Sequence, residues 1–291
     1  MSRIYSYSLI LVTYNRVELL SRILDSISQY KWSYHDLIIV DNNSEDETSF
    51  IIEKNSTDLK IKQIKSIENL GHGGGLALAM DFLLHTDQQP EYIIFLEDDS
   101  IPARDLPEAL ISQISDSQFS LLSPLGSMVS LGKRILVFPS PGELKEVDFA
   151  VFDGAIMRFE VVLTIGVPER DWFMMVDDYE YCYRIKKAGY RIGVIHNDFH
   201  QILHLGAGTG FSGASLWRGY YLERNYVHFI RKHFTFFNLT DFMVFFLKRI
   251  LGSMAAPDRT QRIKLKWIGL WHGLMNRKGK TLDPKSIQFI L

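Results

Sequence analysis

Residues 92–102 read YIIFLEDDSIP, an apolar run followed directly by the three carboxylates Glu97, Asp98 and Asp99. A continuous apolar run is typical of a strand buried on both faces of a sheet. Negative charge at its end has two interpretations, a solvated turn or a site that holds a cation. Side-chain alternation predicts Glu97 and Asp99 on one side and Asp98 on the other. Such a pair suits a hard divalent cation, Mg²⁺ or Mn²⁺.

This strand is one of several that alternate with helices along the first hundred residues. We predict strands at 8–12, 37–40, 61–67 and 92–96, and helices at 16–29, 45–55 and 74–86. Such alternation predicts a parallel sheet with helices on both faces. Further along we predict short strands at 119–122 and 134–138, a buried strand at 147–157, and helices at 178–188 and 214–232.

The composition is that of a packed α/β protein. The chain has 291 residues, of which 46% are apolar and 23% charged. Its single cysteine, Cys182, excludes an internal disulfide and suits a reducing compartment. The N-terminus shows no small-residue cleavage site. We therefore expect a cytoplasmic protein.

Positive charge is concentrated near the C-terminus. Residues 248–285 hold ten Lys/Arg and two Asp, a net +8 within a chain of net charge −2, so the rest carries −10. The predicted helix at 239–255 is too short and too charged to span a membrane. The basic stretch 259–280 groups two Trp with other apolar residues, which suits either an anionic membrane surface or a contact with the main domain or another subunit. We expect one domain at 1–233 and a helical extension at 234–291.

Polar residues follow each of the early strands, where ligands bind in open parallel sheets. Strand one leads into Thr13, Asn15 and Arg16, strand two into Asp41 and Asn43, strand three into NLGHGGG (69–75), and strand four into the carboxylates. The glycines precede the predicted helix, where they suit either a close backbone approach to a phosphate or a flexible turn. They match neither the dinucleotide fingerprint nor the P-loop.

A second acidic group lies in WFMMVDDYEYCYRIKKAGY (172–190). Asp178, at a helix start, suits either a partner of the helix dipole or a general base. HNDFHQILHLGAG (196–208) adds His196, His200 and His204. A single histidine is more often structural than a ligand, but one of three beside a cation site is a candidate ligand.

The chain resembles inverting glycosyltransferases of the GT-A fold, family 2, in the order of its motifs. These motifs are LVTYNR, IIVDNNSEDET, NLGHGGG, FLEDDSIP, the stretch from FDGAIM to KKAGY, and HLGAG. The resemblance covers roughly residues 8–232. NLGHGGG is similar to the glycine-rich signature of galactofuranosyltransferases, and WRGYYLERN (217–225) to a stretch that they share with rhamnosyltransferases. The resemblance implies a Rossmann-like, mostly parallel sheet with helices on both faces, plus the C-terminal helical extension.

It also implies roles for individual residues. Asp178 would be the catalytic base, and Asp99 and His204 the metal ligands, with His200 as the alternative. The residues implied to bind the nucleotide-sugar are Thr13, Asn15, Arg16, Asp41, Asn43, Asn69, Gly71, Gly73, Gly74, Glu97, Asp98, Trp172 and Asp177. Two departures stand out: Glu97 replaces the usual first Asp of the D-x-D motif, and His72 stands where the galactofuranosyl signature has a small residue.

The implied function is a metal-dependent (Mn²⁺ or Mg²⁺), inverting transfer of a sugar from a UDP-sugar, with galactofuranose as the best guess. The acceptor would be a glycan or a lipid-linked glycan in cell-surface polysaccharide synthesis. Alternatives are a rhamnosyltransferase using dTDP-rhamnose, a sugar nucleotidyltransferase, and a non-catalytic protein that binds nucleotide-sugars. We expect no nucleic-acid partner, and contacts with an anionic inner membrane face or with a second subunit remain open.

Overall fold

The first half of the chain folds as alternating strands and helices. The structure is a computed structural model that describes residues 5–196 and 216–290, and the backbone alone of residues 203–204. The elements of this half are β1 (Tyr7–Thr13), α1 (Val17–Tyr30), β2 (Leu37–Asp41), α2 (Thr48–Lys54), β3 (Ile61–Lys65), α3 (Gly71–Leu84) and β4 (Tyr92–Glu97). Each predicted strand and helix of this region is confirmed, with ends shifted by a few residues.

The second half is less regular. Its elements are β5 (Ser100–Ile101), α4 (Leu106–Ser115), β6 (Leu121–Ser123), β7 (Gly126–Ser130), β8 (Lys133–Val137), β9 (Leu144–Glu146), β10 (Phe149–Ala150), β11 (Ile156–Arg158), α5 (Phe159–Ile165), α6 (Asp177–Lys187), β12 (Ile192–Ile195), β13 (Leu203–His204), α7 (Leu216–Lys232), α8 (Phe236–Met254) and α9 (Arg259–Leu274). Helices α4 and α5 were not predicted. The single strand predicted at 147–157 is wrong, because a turn with Gly154 at φ +67° sends β10 and β11 into different sheets.

The main sheet has the strand order β3-β2-β1-β4-β11-β6-β12-β9. Strands β3, β2, β1 and β4 are parallel, β11 runs antiparallel to both of its neighbours, and β12 is parallel to β6. The register sets Thr13 opposite Asp41 and Val12 opposite Glu97. The polar ends of β1, β2 and β4 therefore share one edge, as predicted.

Both faces of this sheet are buried, which explains the continuous apolar runs. On one face, Leu9 and Leu11 pack with α1, α2 and α4. On the other, Ile10 and Val12 pack with α3, α5 and α6. Strand β4 therefore has no polar face from Tyr92 to Leu96, and its charge begins at its last residue, Glu97.

The glycine run lies inside α3, so the prediction that it precedes the helix is wrong. A Cβ on Gly75 would lie 2.4 Å from Val12 Cγ1, and one on Gly71 would lie 1.7 Å from the carbonyl oxygen of Phe173. Gly71 also has φ +76°. Here glycine lets the first turn of α3 pack directly against β1 and the segment before α6, which outweighs its poor helix propensity.

The C-terminal helices pack on α7. A Cβ on Gly269 of α9 would lie 2.3 Å from the Tyr220 carbonyl oxygen, so the two helices meet backbone to backbone. Within the described ranges, no helix is long and apolar enough to cross a bilayer. The boundary at residue 233 stays a prediction, and the residues beyond it contact the body of the protein closely.

Candidate active site

A cavity of about 780 Å³ opens where β1 and β4 end. The start of α6, the start of α7 and the residues after α9 complete its wall. The predicted site residues that line it are Thr13, Asn15, Arg16, Asn69, Gly71, Glu97, Asp98, Asp99, Asp177 and Asp178. The ends of two strands that are far apart in the chain, at Thr13 and Glu97, thus meet around one space.

Other predicted site residues lie outside the lining. The carboxylate of Asp41 is fully buried and accepts hydrogen bonds from the Ser44 N–H (2.8 Å) and the Ser49 hydroxyl (2.5 Å). Asp41 therefore shapes the loop after β2 in this structure. Asn43 belongs to the same loop with φ +66°.

The remaining ones support the wall from behind. Gly73 and Gly74 are buried in the first turn of α3, and a Cβ on Gly73 would lie 2.7 Å from Asp177 Cβ. Trp172 is buried among residues of α7 and α8, while its neighbour Phe173 lines the cavity. The backbone of His204 pairs with that of Ser100, the residue after Asp99. His200 lies outside the described residues.

All three carboxylates after β4 line the cavity. The expectation that Asp98 faces the other way is wrong, because β4 ends at Glu97 and a turn follows, so strand alternation no longer applies. Burial raises the pKa of Asp98 to about 6, opposed by the Arg16 guanidinium. Arg16 also lies near Asp99, with 3.6 Å between Nη1 and Oδ2.

His72 connects the two acidic groups that the sequence shows separately. Its Nε2 lies 3.1 Å from Glu97 Oε1, and its Nδ1 lies 3.0 Å from Asp177 Oδ2. Burial acts to lower the pKa of His72, but the charges of Glu97 and Asp177 outweigh it and raise that pKa well above its usual range. The two carboxylates therefore favour the protonated, imidazolium form of the ring. The sequence showed only that a histidine interrupts the glycine run.

Asp178 lies in the first turn of α6 and faces the cavity. Burial and the neighbouring carboxylate of Asp177 raise its pKa to about 7, against the opposing charge of His72. One of its oxygens accepts the N–H of Tyr179 at 2.8 Å, which fixes the carboxylate. A fixed carboxylate with a pKa near 7 has the properties of a general base at neutral pH.

The residues around Asp99 suit a divalent cation bound together with a substrate phosphate. The Asp99 side chain is one-third exposed to the cavity, at 34%. Among the residues that the structure describes, no three His, Cys, Asp or Glu side chains form a ready metal cage. Mg²⁺ and Mn²⁺ are commonly held by one or two carboxylates plus substrate phosphates, so a cage of protein ligands alone is not required.

Two parts of the site were missed from sequence. Asn42 lines the cavity, and its amide donates to the Gly71 carbonyl (2.8 Å) and accepts the Leu70 N–H (2.9 Å), which ties β2 to α3. The lining also carries the cations Arg218, Lys280 and Lys285. The basic C-terminal stretch was a signal for the lysines, but it was interpreted as a membrane surface or as a contact with the main domain or another subunit, and not as part of the site.

Comparisons with known proteins show what this chain is similar to. Residues 8–129 match the family model described as "Glycosyl transferase family 2". The chain is 26% identical over 205 residues to "Galactofuranosyltransferase GlfT1" of Mycolicibacterium smegmatis; the match spans 63% of this chain and 66%, just under two thirds, of that relative.

Two solved structures share the fold. A mannosyltransferase, PcManGT from Pyrobaculum calidifontis, in complex with GDP-Man and Mn²⁺, matches with a TM-score of 0.59 at 18% identity, over 95% of this chain and 77% of that one. S. aureus TarS 1–349, in complex with UDP-GlcNAc, matches with a TM-score of 0.52 at 16% identity, over 98% and 97%. The expected GT-A fold, with its mostly parallel sheet and helices on both faces, is confirmed.

Proposed function

We propose, for a chain whose residues 8–129 belong to glycosyltransferase family 2, that it transfers a sugar from a UDP-sugar to a glycan or lipid-linked glycan with inversion. Galactofuranose is the proposed sugar, supported by the similarity to a galactofuranosyltransferase. The product would enter cell-surface polysaccharide. The observation that carries the proposal is that Asp178 and the carboxylates after β4 line the same cavity.

The proposed reaction is a single displacement. An acceptor hydroxyl oxygen attacks the anomeric carbon while the bond from that carbon to the diphosphate oxygen breaks, and the nucleoside diphosphate leaves with the bonding electrons. Asp178 accepts the hydroxyl proton. Attack opposite the leaving group inverts the anomeric configuration and needs no enzyme nucleophile. The raised pKa of Asp178, about 7, makes the carboxylate a stronger base that is half ionised at neutral pH.

The departing diphosphate carries negative charge and must be stabilised by positive charge, on the side of the sugar opposite to Asp178. Arg16 and the imidazolium of His72 line the cavity beside the carboxylates. Asp99 would hold Mn²⁺ or Mg²⁺, with His204 as the proposed second ligand and Glu97 close by. The cation would act as a Lewis acid on the diphosphate.

The donor nucleotide would lie along the ends of β1 and β2. Thr13 and Asn15 line that part of the cavity and could contact the base. Asp41 would act through the loop that it hydrogen-bonds, which also carries Asn43. Asn69, just before α3, and Gly71, its first residue, line the cavity and would lie along the ribose and diphosphate.

The test is a donor panel. The purified chain is heated with UDP-galactofuranose, UDP-galactopyranose, UDP-GlcNAc, GDP-mannose or dTDP-rhamnose, each with Mn²⁺ or EDTA. We expect UDP-galactofuranose with Mn²⁺ to raise Tm most. Release of nucleoside diphosphate with an acceptor measures transfer, and NMR of the anomeric centre measures inversion.

Three outcomes would overturn parts of the proposal. If dTDP-rhamnose raised Tm most, the sugar would be wrong. If Asp178→Asn transferred sugar at the wild-type rate, the base would be wrong. If no nucleotide-sugar bound, the enzymatic function itself would be wrong.

We further propose that α8 and α9 bind an anionic lipid surface, which would place the enzyme at the inner face of the cell membrane. Both helices expose large apolar side chains at helical spacing, each more than half exposed: Phe236, Met243, Leu247, Leu251 and Met254 on α8, and Trp267, Trp271 and Leu274 on α9. We call these eight residues the exposed apolar face. Phe246 contacts Trp267 ring to ring at 5.1 Å, which joins the helices.

The charges near this face favour lipid over protein as its partner. Asp241, the acid within α8, is buried and pairs with Arg134. Helix α9 contains no Asp or Glu, and Lys264 is exposed one turn before Trp267. Apolar side chains with Trp and Lys but without exposed carboxylates suit an anionic bilayer interface.

Flotation with vesicles tests this surface. We expect binding to phosphatidylglycerol-containing vesicles that weakens with salt and is lost in a Trp267→Ser/Trp271→Ser variant. Phe50→Ser, which removes an exposed aromatic from α2, is the matched control and should float normally. A chain that does not float with phosphatidylglycerol-containing vesicles but sediments as a dimer would assign the face to a second subunit instead.

A further inference from the structure

The segment that leads into the proposed base has an unfavourable backbone conformation. Phe173, Met175 and Val176 have φ values of +65°, +71° and +71°. The left-handed region is disfavoured for residues with a Cβ, most of all for a β-branched residue such as Val. Asp177 and Asp178 follow immediately and begin α6. Some other part of the structure must hold this segment in place.

Asn225 of α7 binds the segment directly. Its Nδ2 lies within hydrogen-bond distance of the carbonyl oxygens of Trp172 (2.8 Å), Met174 (2.8 Å) and Met175 (2.9 Å), which share its two hydrogens. One amide group therefore contacts three backbone carbonyl oxygens of this segment. Asn225 is fully buried, so water cannot replace these hydrogen bonds.

Arg224 fixes the amide and adds a link of its own. Its Nε donates to Asn225 Oδ1 at 2.9 Å, which sets the orientation of the amide. Its Nη2 donates to the Trp172 carbonyl and its Nη1 to the Gly279 carbonyl, both at 2.7 Å. The fully buried guanidinium therefore connects the segment to the residues after α9.

The opposite side of the segment is held by α3. Gly71 forms a parallel bridge with Phe173, and the His72 N–H points at Met174 Sδ at 3.4 Å. The segment is thus confined between α3 and α7. Neither of the two α7 residues, Arg224 and Asn225, lines the cavity.

We propose that Asn225 and Arg224 are positioning residues that hold the segment 172–176, with its three left-handed residues, in place and so direct Asp178 into the cavity. They act through the backbone and do not touch substrate. The proposal rests on the proposed function, in which Asp178 is the base.

Asn225→Leu tests the amide with little change in volume. We expect kcat to fall at least tenfold, because a base displaced from the acceptor hydroxyl transfers protons poorly. The Kd for UDP should stay within twofold, since the predicted nucleotide contacts lie at the ends of β1 and β2. For Arg224 we expect kcat to be highest in wild type, lower in Arg224→Lys and lowest in Arg224→Met, because the number of N–H donors falls in that order.

Glu223→Gln is the matched control. Glu223 is the preceding residue of the same helix, is also fully buried, and pairs with Arg249 of α8 at 2.9 Å. We expect this variant to lower Tm while kcat stays within twofold. If Glu223→Gln and Asn225→Leu lost kcat in proportion to their loss of Tm, the positioning role would be replaced by a purely structural one.

Amide hydrogen exchange separates this inference from the proposed function. Residues 172–179 should exchange at least tenfold faster in Asn225→Leu or Arg224→Lys than in wild type, whatever the reaction catalysed. Unchanged exchange there, or a folded Asn225→Leu with wild-type kcat, would overturn the inference. An active Asp178→Asn with faster exchange in the α7 variants would instead overturn the base assignment alone.

Discussion

His72 Nδ1 lies 3.0 Å from Asp177 Oδ2, so a histidine in the first turn of α3 pairs with a carboxylate in the first turn of α6. The other ring nitrogen contacts Glu97 at the end of β4. One cation thereby holds together the two acidic groups of the cavity.

We predict that His72→Gln destabilises the protein and raises the pKa of Asp178 further. Loss of hydrogen bonds to charged groups should lower the free energy of unfolding by about 1–3 kcal/mol, measured in urea. Because the charge of His72 opposes the rise of the Asp178 pKa, its removal should move the acid limb of the kcat–pH profile to higher pH. His85→Gln, on an exposed histidine just after α3, should change neither quantity. An unmoved acid limb would show that His72 does not act on Asp178.

We predict that activity increases as pH rises through about 7 and that Asp178→Asn lowers kcat by about 10²–10⁴-fold. The base must be ionised, and burial together with Asp177 keeps it protonated at lower pH. His72 and Glu97 also act on this group, in opposite directions. Initial rates between pH 5 and 9 measure the midpoint of this rise in activity. A midpoint near the usual carboxyl pKa would contradict the assignment.

The same pKa predicts a stability effect of opposite sign. The pKa of Asp178 is higher in the folded state than its usual value of 3.8, so folding stability is lost as pH rises towards 7. The neutral Asp178→Asn should therefore be more stable than wild type at pH 8, by roughly 1–3 kcal/mol, and similar to it at pH 4. Urea titrations at both pH values provide the measurement, and a variant less stable at pH 8 would contradict the raised pKa.

We predict opposite effects for alanine at two helical glycines. In Gly73→Ala, the new Cβ would overlap Asp177 Cβ at 2.7 Å, so we expect a loss of about 1–3 kcal/mol and a large loss of activity. Gly252→Ala in α8 meets nothing within 4 Å and should gain up to about 1 kcal/mol from helix propensity. Thermal unfolding of both compares them directly. A neutral Gly73→Ala would show that α3 and α6 can separate without cost.

We predict that Asp99→Asn weakens the effect of metal more than the binding of nucleotide. The Mn²⁺ concentration needed for half of the Tm shift given by UDP should rise at least tenfold, because a carboxylate is lost from the cation. The shift given by UDP alone, in EDTA, should stay within about a degree. Asp116→Asn, at the C-terminal end of α4, is the control. Equal Mn²⁺ titrations for Asp99→Asn and wild type would remove Asp99 from the metal site.

The sequence was most informative where a local pattern and burial agree. β1, β2 and β4 were predicted because strands buried on both faces need continuous apolar residues, and the sharing of one edge follows from parallel pairing. Asp98 was misplaced because alternation stops where a strand ends. The glycine run was misplaced because local propensity opposes helix there, and only the approach of Val12 and Phe173 explains it.

The contacts that organise the site are non-local. His72 and Asp177 are far apart in the chain, as are Asn225 and Trp172, and no local pattern relates them. The stretch WRGYYLERN was noticed by resemblance, but its last two residues gain a physical role only when α7 is seen behind the segment before α6. The lysines at 280 and 285 could not be assigned to the cavity from sequence for a similar reason, because the net charge of a segment does not show which surface its charged side chains lie on.

The link from Arg224 to Gly279 has a consequence during protein synthesis. Gly279 leaves the ribosome long after Trp172, and its carbonyl accepts one branch of the guanidinium that steadies the segment before α6. A nascent chain can therefore complete its sheet before the segment that leads into Asp178 acquires all of its supports. We expect the growing polypeptide to remain inactive until these last supports are translated, which would keep an incomplete enzyme from consuming donor.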